Sequence, residues 1–187
     1  MTKRLTLAAL LASIALAPTP SRAQNPVAPG YGISHISLAE AACSKTDRAL
    51  GRYDHYDILL CQRHRVFGVG IAIHDAYSWP VLYQTDSKKL WDLQALTMAA
   101  LPQGTSFPGL PANALMELLD FADGRIGIIF RIQGVQAEQG NAVSRLLSLQ
   151  YVRGNLYYCG SDVTNQQARS RLVEHGKCQQ RIEPQTI

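Results

Sequence analysis

The chain carries four cysteines but has no Cys-x-x-Cys pair and no haem-attachment pattern. Redox centres and cysteine-built zinc sites are usually made from such closely spaced thiols, so the sequence argues against both classes. Gly-x-Ser-x-Gly, Ser-x-x-Lys and His-Glu-x-x-His are also missing, as are a phosphate-cradling glycine loop and a dinucleotide fingerprint. Beyond the N-terminal segment no apolar run approaches the roughly 18 to 20 residues that a membrane helix needs. The longest, over residues 66–73, is strand-sized and broken by Gly68 and Gly70.

An excess of one charge is lacking too, once the N-terminus is read correctly. Lys3 and Arg4 precede an apolar run over residues 5–17, and Ser21-Arg22-Ala23 places small residues where a signal peptidase reads. Residues 1–23 are therefore expected to be a secretory signal peptide. The apolar run follows Lys-Arg rather than Arg-Arg, and no cysteine follows the cleavage site closely, so neither twin-arginine export nor a lipid anchor is expected. Losing Lys3, Arg4 and Arg22 from 18 basic residues leaves 15 against 14 acidic ones. Nucleic-acid binding needs a concentrated basic face, which this balance does not supply. The expected location is periplasmic or secreted.

Export also decides what the cysteines mean. In an oxidising compartment an even number implies staples, and the pairs expected are Cys43–Cys61 and Cys159–Cys178. Each would tie a helical element to a strand nearby in sequence.

The remaining chain divides into an extended arm over 24–34, a domain over 35–178 and a polar tail over 179–187. Ser37 and Glu40 fit a capping box opening a helix over 38–50, which Gly51 would stop. Strands are expected over 56–62, 66–74 and 81–85. In the second, Phe67, Val69, Ile71 and Ile73 alternate with near-bare positions that would let a neighbour pack close. Helices are expected over 87–101, ended by Pro102, and from Pro111 to residue 122, with Asn113, Glu117, Asp120 and Gly124 on a narrow polar, solvated stripe and Asp123 beside it. A meander follows over 125–135, 143–152 and 156–159. Thr164 and Gln167 then cap a thinly apolar last helix that reaches residue 175. The order α-βββ-αα-βββ-α gives an α+β class, an antiparallel sheet backed by helices.

Candidate chemistry is sparse. His55 and His74 would face each other if the hairpin turns at His64-Arg65, a weak metal pair without a firm third ligand, so no metal or other cofactor is expected. Ser78 neighbours His74 and Asp75, yet triad members must meet in space, not in sequence. Arg125, Arg131, Arg145 and Arg153 would serve an anionic ligand if gathered on one sheet face, but solvent-facing strand positions are the simpler expectation. Binding has the better support. Tyr77 and Trp79 fall in an expected loop over 74–80, and Phe107 in a proline-bounded connection over 102–111, so aromatic anchors would sit on scaffolded loops. The sequence thus predicts an exported, non-catalytic domain whose partner is another envelope or secreted protein, as for an inhibitor, an immunity protein or an assembly accessory. The alternatives are an envelope hydrolase or transferase, and a binder of a small ligand or metal.

Overall fold

The computed structural model describes residues 30–45, 57–84, 86–138, 140–174 and 178–186. Its organising strand is β9 (Ile126–Gln136), where Ile126, Ile128, Phe130 and Ile132 point one way into the core. Strand alternation puts residues two apart on one face, so this run makes one fully apolar wall. Beside it lie β10 (Ala142–Val152) and β11 (Asn155–Asp162), the meander expected from sequence, with Arg153-Gly154 at the tight turn.

The remaining elements are β1 (Tyr31–Ser37), β2 (Ser44–Lys45), β3 (Asp57–Arg63), β4 (Gly68–His74), β5 (Tyr77–Gln84), β6 (Lys89–Asp92), α1 (Gln94–Ala100), β7 (Thr105–Gly109), β8 (Leu115–Phe121), α2 (Asn165–Glu174), β12 (Gln180–Ile182) and β13 (Gln185–Thr186). They form two antiparallel sheets. One runs β1-β8-β9-β10-β11-β12, with β7 pairing the far end of β9; the other runs β13-β6-β5-β4-β3-β2. The sheets face each other across one apolar core. Leu59, Phe67, Val69, Ile71, Leu82 and Trp91 from the six-stranded sheet meet Met116, Leu118, Phe130, Leu147, Leu149 and Leu156 from the seven-stranded sheet. Each such fully buried side chain contributes about 1.5–3 kcal/mol from removal of apolar area from water. Among the described residues no helix is long and apolar enough to cross a membrane.

Among the described residues the architecture is therefore mostly antiparallel sheet with two α-helices and two disulfides, broadly α+β, and the expected order of elements needs correction. The helix over 38–50 is replaced, within the described residues, by a 3-10 turn (Glu40–Ala42) and the short β2. Ser37 is the last residue of β1, opposite Leu115, and its Oγ accepts the Ala39 N–H at 3.3 Å; Glu40 is not its capping partner. The expected helix over 111–122 is β8. Pro111 closes a turn whose carbonyl accepts the Ala114 N–H at 2.9 Å, and the strand begins just after. Both faces of β8 are buried, Met116 and Leu118 toward the second sheet and Leu119 and Phe121 beneath α2. A strand covered on both sides reads as a nearly continuous apolar run, which periodicity cannot tell from a buried helix. The helix over 87–101 divides at Asp92, whose Oδ1 accepts the Gln94 N–H at 2.8 Å, so β6 precedes the shorter α1. Residues 179–187, expected as a tail, carry β12 and β13, and β1 already begins at Tyr31.

The sheet is not simply backed by helices, because its main packing partner is another sheet. The helix that does lie on an outer face is α2, over β9, β10 and β11. Its apolar stripe is as thin as expected, only Ala168 and Leu172 being buried. Thr164 and Gln167 form the expected reciprocal cap, at 3.3 and 3.1 Å. Close approach is possible because position 127 has no side chain: a Cβ there would lie 2.8 Å from Leu172 Cδ1. Three polar ties add to this thin contact. Cys159 and Cys178 are bridged, Arg171 donates to both oxygens of Asp162 at 2.9 Å, and Arg169 donates to Glu117. Cys43 and Cys61 form the other disulfide, joining the end of the 3-10 turn to β3. Both pairings are those the spacing suggested. On the second sheet the bare position 68 receives the Tyr83 ring directly opposite it, where a Cβ would fall 2.0 Å from the ring.

Candidate functional site

Beyond the N-terminus of α2 the described residues leave a cleft on the outer face of the seven-stranded sheet. Register alone assembles the site there. His35 on β1 stands opposite Glu117 on β8, and Glu117 stands opposite Ile129 on β9. Arg131 and Gln133 follow on the same face of β9. Asn165, opening α2, and the turn holding Pro111, Asn113 and Ala114 form the walls of a cleft of about 410 Å³. That turn is pinned from the other sheet, since the Leu110 N–H donates to Ser78 Oγ at 2.9 Å.

Glu117 is the buried charge of this cleft, 7% exposed. Arg169 donates from Nε to Oε1 at 2.6 Å and from Nη2 to Oε2, and His35 Nε2 lies 3.5 Å from Oε2. These bonds from Arg169 hold the Glu117 carboxyl below its ordinary range, against the opposing effect of burial, with His35 adding a smaller push downward. The same bonds raise Arg169. Both carboxylate oxygens are thus engaged, and the Glu117–Arg169 pair is neutral as a unit. Arg131 is different. Its Nη1 donates to Ser144 Oγ at 3.0 Å, and among the described residues no carboxylate lies within ion-pairing distance of it. The cleft therefore presents a fixed guanidinium and three neutral amides, those of Asn113, Gln133 and Asn165, over a neutralised floor.

The residues singled out from sequence fall elsewhere. Strand β5 begins at Tyr77, so the expected loop over 74–80 shrinks to a turn at Asp75-Ala76, with Asp75 at φ 52°. Trp79 is consequently a core residue, 1% exposed, packed with Ile58, Ala72, Val81, Tyr83 and Leu90 on the outer face of the six-stranded sheet. It cannot serve as a surface anchor. Tyr77 is half-buried and lines a second, mainly apolar depression of about 360 Å³ with Ile71, Ile73, Leu110 and Pro111. Phe107 lies in β7, and its side chain is outside the described residues. So is the whole of His55. His74 Nδ1 is 3.8 Å from Asp75 Oδ2 on an exposed corner, and among the described residues no three metal-ligating side chains converge.

The expected solvated stripe does not exist. Glu117 is buried on one face of β8, while Asp120 points the other way to His64 Nε2 at 3.3 Å and Arg65 Nη2 at 2.8 Å. Asp123 sits in the following turn, paired with Arg125, whose backbone N–H and Nε both donate to it, and Arg125 stacks over the Phe121 ring. The four strand arginines are scattered as well. Arg131 faces the cleft, Arg145 stands opposite the inward Ile132, and Arg153 occupies a turn. Sequence reading missed His35, Arg169, Gln133 and Asn165, and placed Asn113 only on a solvated helical stripe. Assigning residues 111–122 to a helix hid that Glu117 has a cross-strand neighbour in His35, the one local signal available.

No family model matches the chain, and neither a curated protein nor a solved structure matches it.

Proposed function

We propose that this chain is an exported, non-catalytic binding domain whose partner, another envelope or secreted protein, docks on the open part of the seven-stranded sheet's outer face. The observation that carries this reading is the mixed surface around Arg131. Leu115, which lines the cleft, is 52% exposed, and Ile33, on the same face of the neighbouring strand as His35, is 44% exposed. Apolar anchors around a positioned arginine, with neutral amides between, match the make-up of protein interfaces. The two disulfides suit an oxidising compartment and hold both ends of this scaffold. The partner is an inhibitor's target, a toxin or an assembly component.

A photo-cross-linking residue placed at Gln133 in cells tests the reading. One discrete protein adduct is expected from that position, lost when Leu115→Arg is added, and none from a probe at the exposed Gln62 of the other sheet. Equal adducts from both positions, or none from Gln133, overturn it.

A further inference from the structure

The charge arithmetic of the cleft says what it would accept, given that it is the docking face. Glu117 and Arg169 cancel, so among the described residues lining the cleft Arg131 supplies the one unmatched fixed charge. Its orientation is set in advance by Ser144 Oγ on the next strand, which occupies Nη1 and leaves the rest of the fork for another acceptor. A guanidinium fork matches a planar carboxylate through two parallel hydrogen bonds. Asn113, Gln133 and Asn165 surround it with groups that both donate and accept, the pattern a peptide's own N–H and C=O require. With Glu117 neutralised by Arg169, the single guanidinium of Arg131 balances one negative charge, which sets a monoanion above a dianion such as phosphate. Leu115 offers apolar contact to whatever side chain lies beside the anionic group. The volume, about 410 Å³, is at the scale of small-ligand pockets and holds a few residues, not a folded surface.

We propose that the cleft formed by Arg131, Asn113, Gln133, Asn165 and Leu115 recognises a carboxylate on an extended peptide segment, and that this segment is how the partner is read. This inference rests on the docking face being the one argued above. The carboxylate comes either from a chain terminus or from an acidic side chain, and the same chemistry serves both.

The test is an amide-resolved NMR titration of the disulfide-bonded protein with four probes. These are a short acetylated apolar peptide with a free C-terminus, its C-amide, a C-amide carrying one internal glutamate, and inorganic phosphate. Either carboxylate peptide is expected to saturate shifts at Gln133 and Asn165 with a dissociation constant of the order of millimolar. The neutral amide should not, and whichever carboxylate peptide saturates identifies the source. Arg131→Gln should weaken binding roughly 10- to 100-fold, the range for losing a charge-assisted pair of hydrogen bonds. Arg145→Gln, on the opposite face, should leave it unchanged. Binding of the neutral amide equal to that of the acids, tighter binding of phosphate, shifts located elsewhere, or no saturation at all overturns the inference. The native-protein titration decides by itself if Arg131→Gln fails to fold. A failed titration beside an intact Gln133 adduct would leave the docking face standing and remove only the carboxylate. A successful titration without the adduct would leave a carboxylate-binding cleft and overturn its role in reading a partner.

Discussion

Removing Arg169 should expose how much of the fold depends on one buried carboxylate. In Arg169→Ala, Glu117 keeps its burial and loses both of its strongest donors, leaving only His35 at 3.5 Å. Breaking a buried ion pair from one side costs about 3–5 kcal/mol, because the remaining charge is uncompensated. The arginine side chain is 37% exposed, so water enters the vacated space, and about 2–3 kcal/mol is the fitting figure. For a domain of this size that corresponds to a drop in Tm of about 5–10 °C at pH 7. The charge is the cause, so Glu117→Gln added to Arg169→Ala should recover about half of the loss or more. The pH dependence has a definite sign. Arg169 holds the folded-state carboxyl of Glu117 low, so its contribution is complete above the unfolded value and is lost as pH falls through the folded one. In the variant, burial pushes that carboxyl upward against only the smaller downward push of His35, so acid neutralises the exposed fault. The Tm difference between the two proteins should be largest near pH 7 and shrink steadily as acid protonates Glu117, first in the variant and then in the native protein. Differential scanning calorimetry across that range is the assay. A loss under about 2 °C at pH 7, or a gap that widens on acidification, would refute the reasoning.

Replacing Cys159 and Cys178 by serine should cost about 3 kcal/mol by the chain-entropy argument for their 19-residue separation, and hydrogen exchange should show α2 losing protection first. The Cys43/Cys61 pair of serines should cost a similar amount in denaturant titrations with α2 protection retained. Gly127→Ala should destabilise by about 1–3 kcal/mol by pushing Leu172 away, and Leu172→Ala combined with it should cost less than the two changes summed. Trp79→Ala should cost about 3–5 kcal/mol as a core cavity, while Tyr77→Ala should cost under about 1.5 kcal/mol; equal small losses in urea midpoints would return Trp79 to the surface.

What could be read in advance was local and periodic. The alternation through β4 and β9, the Thr164–Gln167 cap and the two short cysteine loops each carry their signal within a few residues, and all are present. Failures came where tertiary packing decides. Strand β8 is apolar on both faces because α2 and the second sheet cover it, and neither neighbour is visible from residues 111–122. Ser37 and Glu40 satisfy the capping pattern, but pairing with β8 holds Ser37 in a strand. Strands β12 and β13 are too short and too polar to alternate, and exist because their partners do. The site was the least legible part. Glu117 and Arg169 are 52 positions apart and meet only after α2 crosses the sheet, so no motif could record them.

Residues 180–186 join opposite walls of the sandwich: β12 completes the seven-stranded sheet on β11, and β13, after Pro184, completes the other on β6. That stitch has a consequence for timing. A chain made from its N-terminus delivers these two strands after every other described strand, at about 5–20 residues per second. Until they arrive, the edges of β6 and β11 on that side lack these partners, and two neighbouring sheet margins are open to the same segment of another copy. The Cys159–Cys178 bridge lies immediately ahead of the stitch and holds its start against β11. Once that pair is oxidised, the segment that closes the last seam is tethered beside β11, which favours closure on its own chain over a neighbour's.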